Sequence, residues 1–131
     1  MTRAPSLSAR LGAISYVVWA VLHFMAAVSV YKLGLHAGAN MVGGRLLQDA
    51  FNLAAFSAFG TGVAICLNWR NSAWGYWINL SIISVADIGF VIFVLVPGYM
   101  PLWPGLAGPI FWITGAVLTT VGQLARPKTT T

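Results

Sequence analysis

The sequence contains no glutamate, and its only acidic residues are Asp49 and Asp87. Two carboxylates and few histidines are a thin set for acid–base chemistry. Charge of either sign is scarce: 7% of residues are charged, against about 25% in a soluble domain. That excludes an ordinary soluble fold. Disorder is excluded too, because 59% of the residues are hydrophobic. The single cysteine, Cys66, excludes an intrachain disulfide, a CxxC redox pair and a cysteine-rich metal site. The seven basic residues are dispersed, so no patch forms for nucleic acid. Nucleophile motifs, phosphate-binding loops and metal-ligand spacings are missing, and no cofactor is implied. His23 and Met25 stand two apart on a helix and diverge by about 160°, so they do not make a metal site.

The chain does contain four long apolar stretches, at 11–33, 46–68, 74–96 and 106–125. Each has the ~20 residues that a helix needs to cross ~30 Å of hydrocarbon. Backbone groups in lipid must be hydrogen-bonded internally, which makes each stretch helical. The expected fold is therefore all-α: one domain over residues 1–131, an integral membrane bundle of four transmembrane helices. Gly-rich 32–44 and Pro-rich 97–109 separate the spans on one side, and the short polar segment 68–72 does so on the other. Tyr31, Trp69, Trp74, Tyr76, Trp77, Tyr99 and Trp103 fall near the expected interfaces and read as an aromatic belt. The basic leader precedes an apolar run longer than a signal-peptide core, so the first span is expected to stay. Four spans put both termini on one side, with Arg3, Arg10, Arg70, Arg126 and Lys128; Lys32 and Arg45 lie opposite. That bias predicts cytoplasmic termini in a bacterial inner (plasma) membrane.

The spans are not uniformly apolar. Tyr16, Trp19 and His23 share one face of the first. Arg45, Gln48, Asp49, Asn52 and Phe56 fall within an arc of roughly 100° on the second. Tyr76, Leu80, Ser84 and Asp87 lie together on the third, and Trp112, Ala116, Thr119 and Gln123 on the fourth. At ~1.5 Å per residue, His23 and Asn52 lie roughly 18 Å from the terminal side, and Asp87 roughly 20 Å. The three are expected at one level, with Asp49, Gln48 and Arg45 continuing outward. An ionisable group in hydrocarbon costs at least ~2.5–3.5 kcal/mol, so it faces the bundle interior and marks a candidate site. Asp87 has no cation on its own helix, and His23 is the ionisable side chain of another span at its depth.

His23 and Asp87 are the candidate proton-handling pair. Trp19, Asn52, Asp49, Arg45, Gln48 and Trp112 are the candidate ligand-binding residues. Each also has a plainer role: an interhelical hydrogen bond for the pair, and an Arg45–Asp49 pair at i,i+4 with Arg45 snorkelling to water. Ala50, Ala54, Ala58 and Gly62, like Gly115, Thr119 and Gly122, suit close helix packing within the bundle or in a homo-oligomer. Small multidrug transporters also have four helices but depend on a glutamate in the first span, which this chain lacks. The third span, INLSIISVADIGFVIFVLV, has no Thr/Ser/Phe-rich break of the kind found in fluoride channels. The expected partners are the lipid bilayer and a lipophilic small molecule. The leading expectation is a binder or carrier for that molecule. The alternatives are a membrane-embedded isomerase or cyclase, and an accessory subunit with no site of its own.

Overall fold

The computed structural model describes residues 6–126. Arg3 and Lys128, two of the residues behind the charge bias, lie outside the described residues. Among those described, the structure is all-helical. Helix α1 is Leu7–Ala37, α2 is Met41–Cys66, α3 is Ala73–Phe90, α4 is the single turn Leu102–Gly105, and α5 is Ala107–Leu124. Four of the helical stretches are long and apolar enough to cross a membrane: Leu7–Ala37, Met41–Arg70, Ala73–Leu95 and Ala107–Leu124.

The first two helices run beyond the apolar stretches, and local chemistry explains why. Ser6 caps α1, its hydroxyl accepting from the Ala9 N–H at 3.3 Å. Glycine enrichment after Lys32 does not end the helix. Termination comes at Gly38, whose φ of 81° only glycine adopts freely. Asn40 then caps α2 by accepting from the Gly43 N–H at 3.0 Å. The connection is thus three residues, 38–40, instead of a long loop. At the far end of α2, Asn68–Arg70 make a 3-10 turn, and Asn71 in the left-handed region closes it.

Beyond Phe90, α3 loosens into a wider π turn, Val91–Leu95. Its bonds skip five residues, from Val96 N–H to Val91 O at 2.8 Å and from Tyr99 N–H to Val94 O at 3.1 Å. Pro97 ends this stretch, Pro101 precedes α4, and Pro109 sits in the first turn of α5, where a missing N–H costs nothing.

Burial is inverted relative to a soluble protein. Phe51 and Phe93 are each 72% exposed, whereas Asp87 and Asn79 are 0% exposed and His23 is 8% exposed. Large apolar side chains outside and polar ones inside suit a lipid surround. The core holds Tyr16, Trp19, Ala20, Ala64 and Ile83. Helix α1 is central, packing along both α2 and α5, and α3 touches α2 and α5. Small residues set the α1–α5 distance. A methyl on Gly12 would lie 2.6 Å from Thr119 Cγ2, and one on Gly115 would lie 2.8 Å from the Tyr16 ring. Hydroxyls inside the helices return their protons to carbonyls four residues back, as from Ser57 to Leu53 at 2.7 Å and from Thr119 to Gly115 at 2.7 Å.

Candidate functional site

The four polar faces meet differing neighbours. The interior face of α1 carries Trp19 and His23 one turn apart. Their rings stack with centroids 4.0 Å apart and planes 26° from parallel. His23 Nδ1 lies 3.0 Å from the Trp19 carbonyl oxygen. A carbonyl only accepts, so Nδ1 carries the proton and donates. In the neutral ring Nε2 then bears the lone pair.

Asp87 comes from α3 and meets both side chains. The Trp19 indole Nε1–H donates to Asp87 Oδ2. Asp87 Oδ1 lies 3.9 Å from His23 Nε2, within ion-pair range but beyond hydrogen-bonding distance. That oxygen is buried and has no hydrogen-bond partner among the described residues. The first turn of α5 closes the cluster. A methyl on Gly108 would fall 2.8 Å from His23 Cε1 and 3.7 Å from Asp87 Oδ1. Three helices therefore converge on one imidazole and one carboxyl group. The 3.9 Å gap makes Nε2 and Oδ1 neighbours without a direct hydrogen bond, and Trp19 positions both partners.

His23 also forms part of the wall of a cavity of about 780 Å³. Its wall is mostly apolar, with Leu22, Leu53, Phe56, Phe90, Val94 and Met100 among its residues. Its polar side chains are His23, Ser29, Asp49 and Asn52. The wall draws on the later half of α1, the first half of α2, the end of α3 with its π turn, and the 100–108 segment. The cavity thus occupies the half of the bundle away from the described chain ends. Met100, Pro104, Gly105, Ala107 and Gly108 form its cover. From the other connection only Leu33, still inside α1, contributes.

The sequence-expected ligand residues separate into two groups. Asp49 and Asn52 are on the cavity wall but are exposed on α2, not enclosed in the bundle interior as expected, because the cavity is open on that side. Trp19 and Trp112 are not on that wall. Trp19 is fully buried behind the wall, held by Asp87. Trp112 Nε1–H donates to Ser84 Oγ at 2.9 Å and bridges α5 to α3. Arg45 and Gln48 are exposed on α2 and bond each other, Arg45 Nη1–H to Gln48 Oε1 at 2.9 Å. Arg45 therefore engages Gln48 in place of Asp49. No cation of the described residues lies within 4.0 Å of Asp49. The small-residue face of α2 also divides: Ala50 is buried, while Ala58 and Gly62 are exposed.

Several polar residues that position the helices were not singled out by depth and facing. Asn79 Nδ2–H donates to Asn68 Oδ1 at 2.9 Å and to the Gly60 carbonyl at 3.2 Å, fastening α3 to α2. Asn71 donates to the Gly122 carbonyl at 2.8 Å and accepts from Gln123 Nε2 at 2.9 Å, fastening the 67–72 turn to α5. Asn79 carried a usable signal, since it stands two helical turns before Asp87 at i, i+4, i+8 with Ile83. Gly108 carried none, because its lack of a side chain matters only once α5 has docked on His23.

No protein-family model matches the chain, and no curated protein or solved structure shows significant similarity to it.

Proposed function

We propose that this membrane-type four-helix protein binds or carries a lipophilic small molecule in the cavity lined by His23, Asp49 and Asn52. The cavity itself carries the reading. Its volume of about 780 Å³ lies within the roughly 300–1,000 Å³ of small-molecule sites. An apolar wall with a few polar groups suits a mostly hydrocarbon ligand with one polar function. Trp19 and Asp87 belong to the supporting layer and hold His23 at the wall, and Gly108 packs against His23 from the cover. The four spans act as one unit in this reading, with the bilayer as their solvent and as the route by which a lipophile enters.

We further propose cytoplasmic termini in a bacterial inner membrane. Arg10, Arg70 and Arg126 support this. They flank helix ends at one end of the bundle, where the Arg10 guanidinium lies 5.6 Å from the Trp69 ring centroid. The cavity would then open toward the non-cytoplasmic half.

A plugging substitution tests the binding reading. Gly89 lines the cavity, and a Cβ built there meets nothing within 4 Å. Gly89→Leu therefore starts its side chain in open space at the cavity wall. Tritiated dodecanol should bind the wild-type chain in nanodiscs above the level of empty discs, and Gly89→Leu should abolish that excess. Equal binding to the two proteins would refute a ligand in this cavity.

A further inference from the structure

The cavity's polar groups share one hydrogen-bonding character. Asp49 offers carboxylate oxygens, which only accept when ionised. The Ser29 hydroxyl donates to the Met25 carbonyl at 3.2 Å, leaving its lone pairs free. The His23 Nδ1 proton goes to Trp19 O, which leaves Nε2 as the accepting nitrogen of the neutral ring. Asn52 alone of the four brings both donors and an acceptor. No lysine or arginine lines the wall. Arg45, the cation nearest to Asp49 in sequence, donates to Gln48 and stands outside the cavity.

An acceptor-rich wall with an unpaired carboxylate selects a ligand that supplies N–H donors and positive charge. We propose that the cavity takes a lipophilic amine in its ammonium form, with the ammonium at Asp49 and the hydrocarbon running inward past Leu53, Phe56 and Leu22. Asp49 suits the polar end. It lies about 12 Å along α2 from Met41, so the ammonium stays on the interfacial side of the hydrocarbon tail. This inference rests on the reading of the cavity as a binding site and names its ligand class. One element favours the opposite charge: the first turn of α5, whose N–H groups carry the positive end of the helix dipole. That turn already faces Asp87, whose Oδ1 lies beside Gly108.

Three tritiated probes with the same twelve-carbon chain separate the possibilities: dodecylamine, dodecanol and dodecanoate. Each is titrated against the full chain in zwitterionic nanodiscs at pH 7, with empty discs subtracted. The amine should bind at least tenfold more tightly than the alcohol. Asp49→Asn should bring the amine to within threefold of the alcohol, and a wild-type far-UV circular dichroism spectrum with an unchanged SDS unfolding midpoint reports that the variant is folded. An amine no tighter than the alcohol overturns the ammonium inference while the cavity still binds lipophiles. So does tightest binding of dodecanoate, or an amine preference that survives Asp49→Asn. Binding of none of the three above empty discs overturns the cavity reading, and this inference with it.

Discussion

Trp19 is the side chain through which Asp87 is tied to α1, and removing its N–H isolates that link. Asp87 is 0% exposed, and its Oδ1 has no hydrogen-bond partner among the described residues. The indole N–H is the hydrogen bond recorded for Oδ2. In Trp19→Phe the carboxyl group loses that bond. Hydrogen bonds between transmembrane helices average about 0.6 kcal/mol and reach about 1.7, because a loosened helix finds other partners. The neighbouring His23 Nε2, 3.9 Å from Oδ1, bears a lone pair in the neutral ring and offers no proton there. The Trp19–Asp87 coupling is therefore expected near the top of that range, at about 1.5 kcal/mol. A double-mutant cycle isolates it from the packing lost with the larger ring. The four proteins are wild type, Trp19→Phe, Asp87→Leu and the double variant, unfolded by SDS in mixed bicelles and followed by far-UV circular dichroism. Trp19→Phe alone should destabilise by about 2–4 kcal/mol, the sum of the lost bond and the space left by the indole. The same change in the Asp87→Leu background should cost less by about 1.5 kcal/mol. A coupling below about 0.5 kcal/mol would refute the argument, since Asp87 would then not depend on Trp19.

Gly108→Ala places a methyl 2.8 Å from His23 Cε1 and should destabilise by about 1–3 kcal/mol, whereas Gly89→Ala meets open space and should be neutral or stabilising by up to about 1 kcal/mol. Both are read by the same SDS titration. Gly115→Ala drives a methyl to 2.8 Å from the Tyr16 ring and should loosen α1 from α5, while Gly62→Ala, with nothing within 4 Å, is the matched control. Topology is tested with the single exposed cysteine, Cys66, at the end of α2. A membrane-impermeant maleimide should label it in inside-out vesicles and spare it in right-side-out ones, and Tyr99→Cys in a Cys66→Ala background should give the reverse. Identical labelling from both sides would refute a single orientation.

The four long helices were legible because hydrocarbon thickness fixes a length that the apolar stretches reach. Depth and facing put His23 and Asp87 at one level, since a 1.5 Å rise and a 100° turn place a residue on its own helix, but left open whether they approach. What those parameters lack is the neighbour. Trp19 and Trp112 both face inward, yet one donates to a carboxyl group 68 residues away and the other to Ser84. Which acceptor each indole meets depends on how closely α1, α3 and α5 approach. Gly12, Gly108 and Gly115 govern those approaches; the small-residue face of the fourth span marked Gly115, but Gly12 and Gly108 leave almost no trace in a hydropathy pattern. The Arg45–Asp49 spacing misled for a related reason. A spacing of four permits a pair, but Gln48 offers Arg45 an uncharged acceptor one turn along. The loosened turn at Val91–Leu95 was equally invisible, because its residues are as apolar as those of any ordinary helical turn.

The position of the cavity follows from where the polar ties lie. Asn79 fastens α3 to α2 through Gly60 and Asn68, and Asn71 with Gln123 fastens the 67–72 turn to α5. Gly12 and Gly122 bring α1 against α5 at the same end, beside Thr119 and Ala9. No comparable side-chain bond joins α2 to α3 beyond Asp87 among the described residues; there the wall is Asn52, Phe56, Phe90 and Val94. One half of the bundle thus holds the helices together, and the other can open around a ligand without breaking those contacts. Local stability in membrane bundles follows packing and polar ties, so the cavity half belongs to the less stable part of the fold. The Trp19–His23–Asp87 cluster stands at the boundary between the two halves. Of that cluster His23 lines the cavity, and Asp87 adjoins it through its neighbour Ala86.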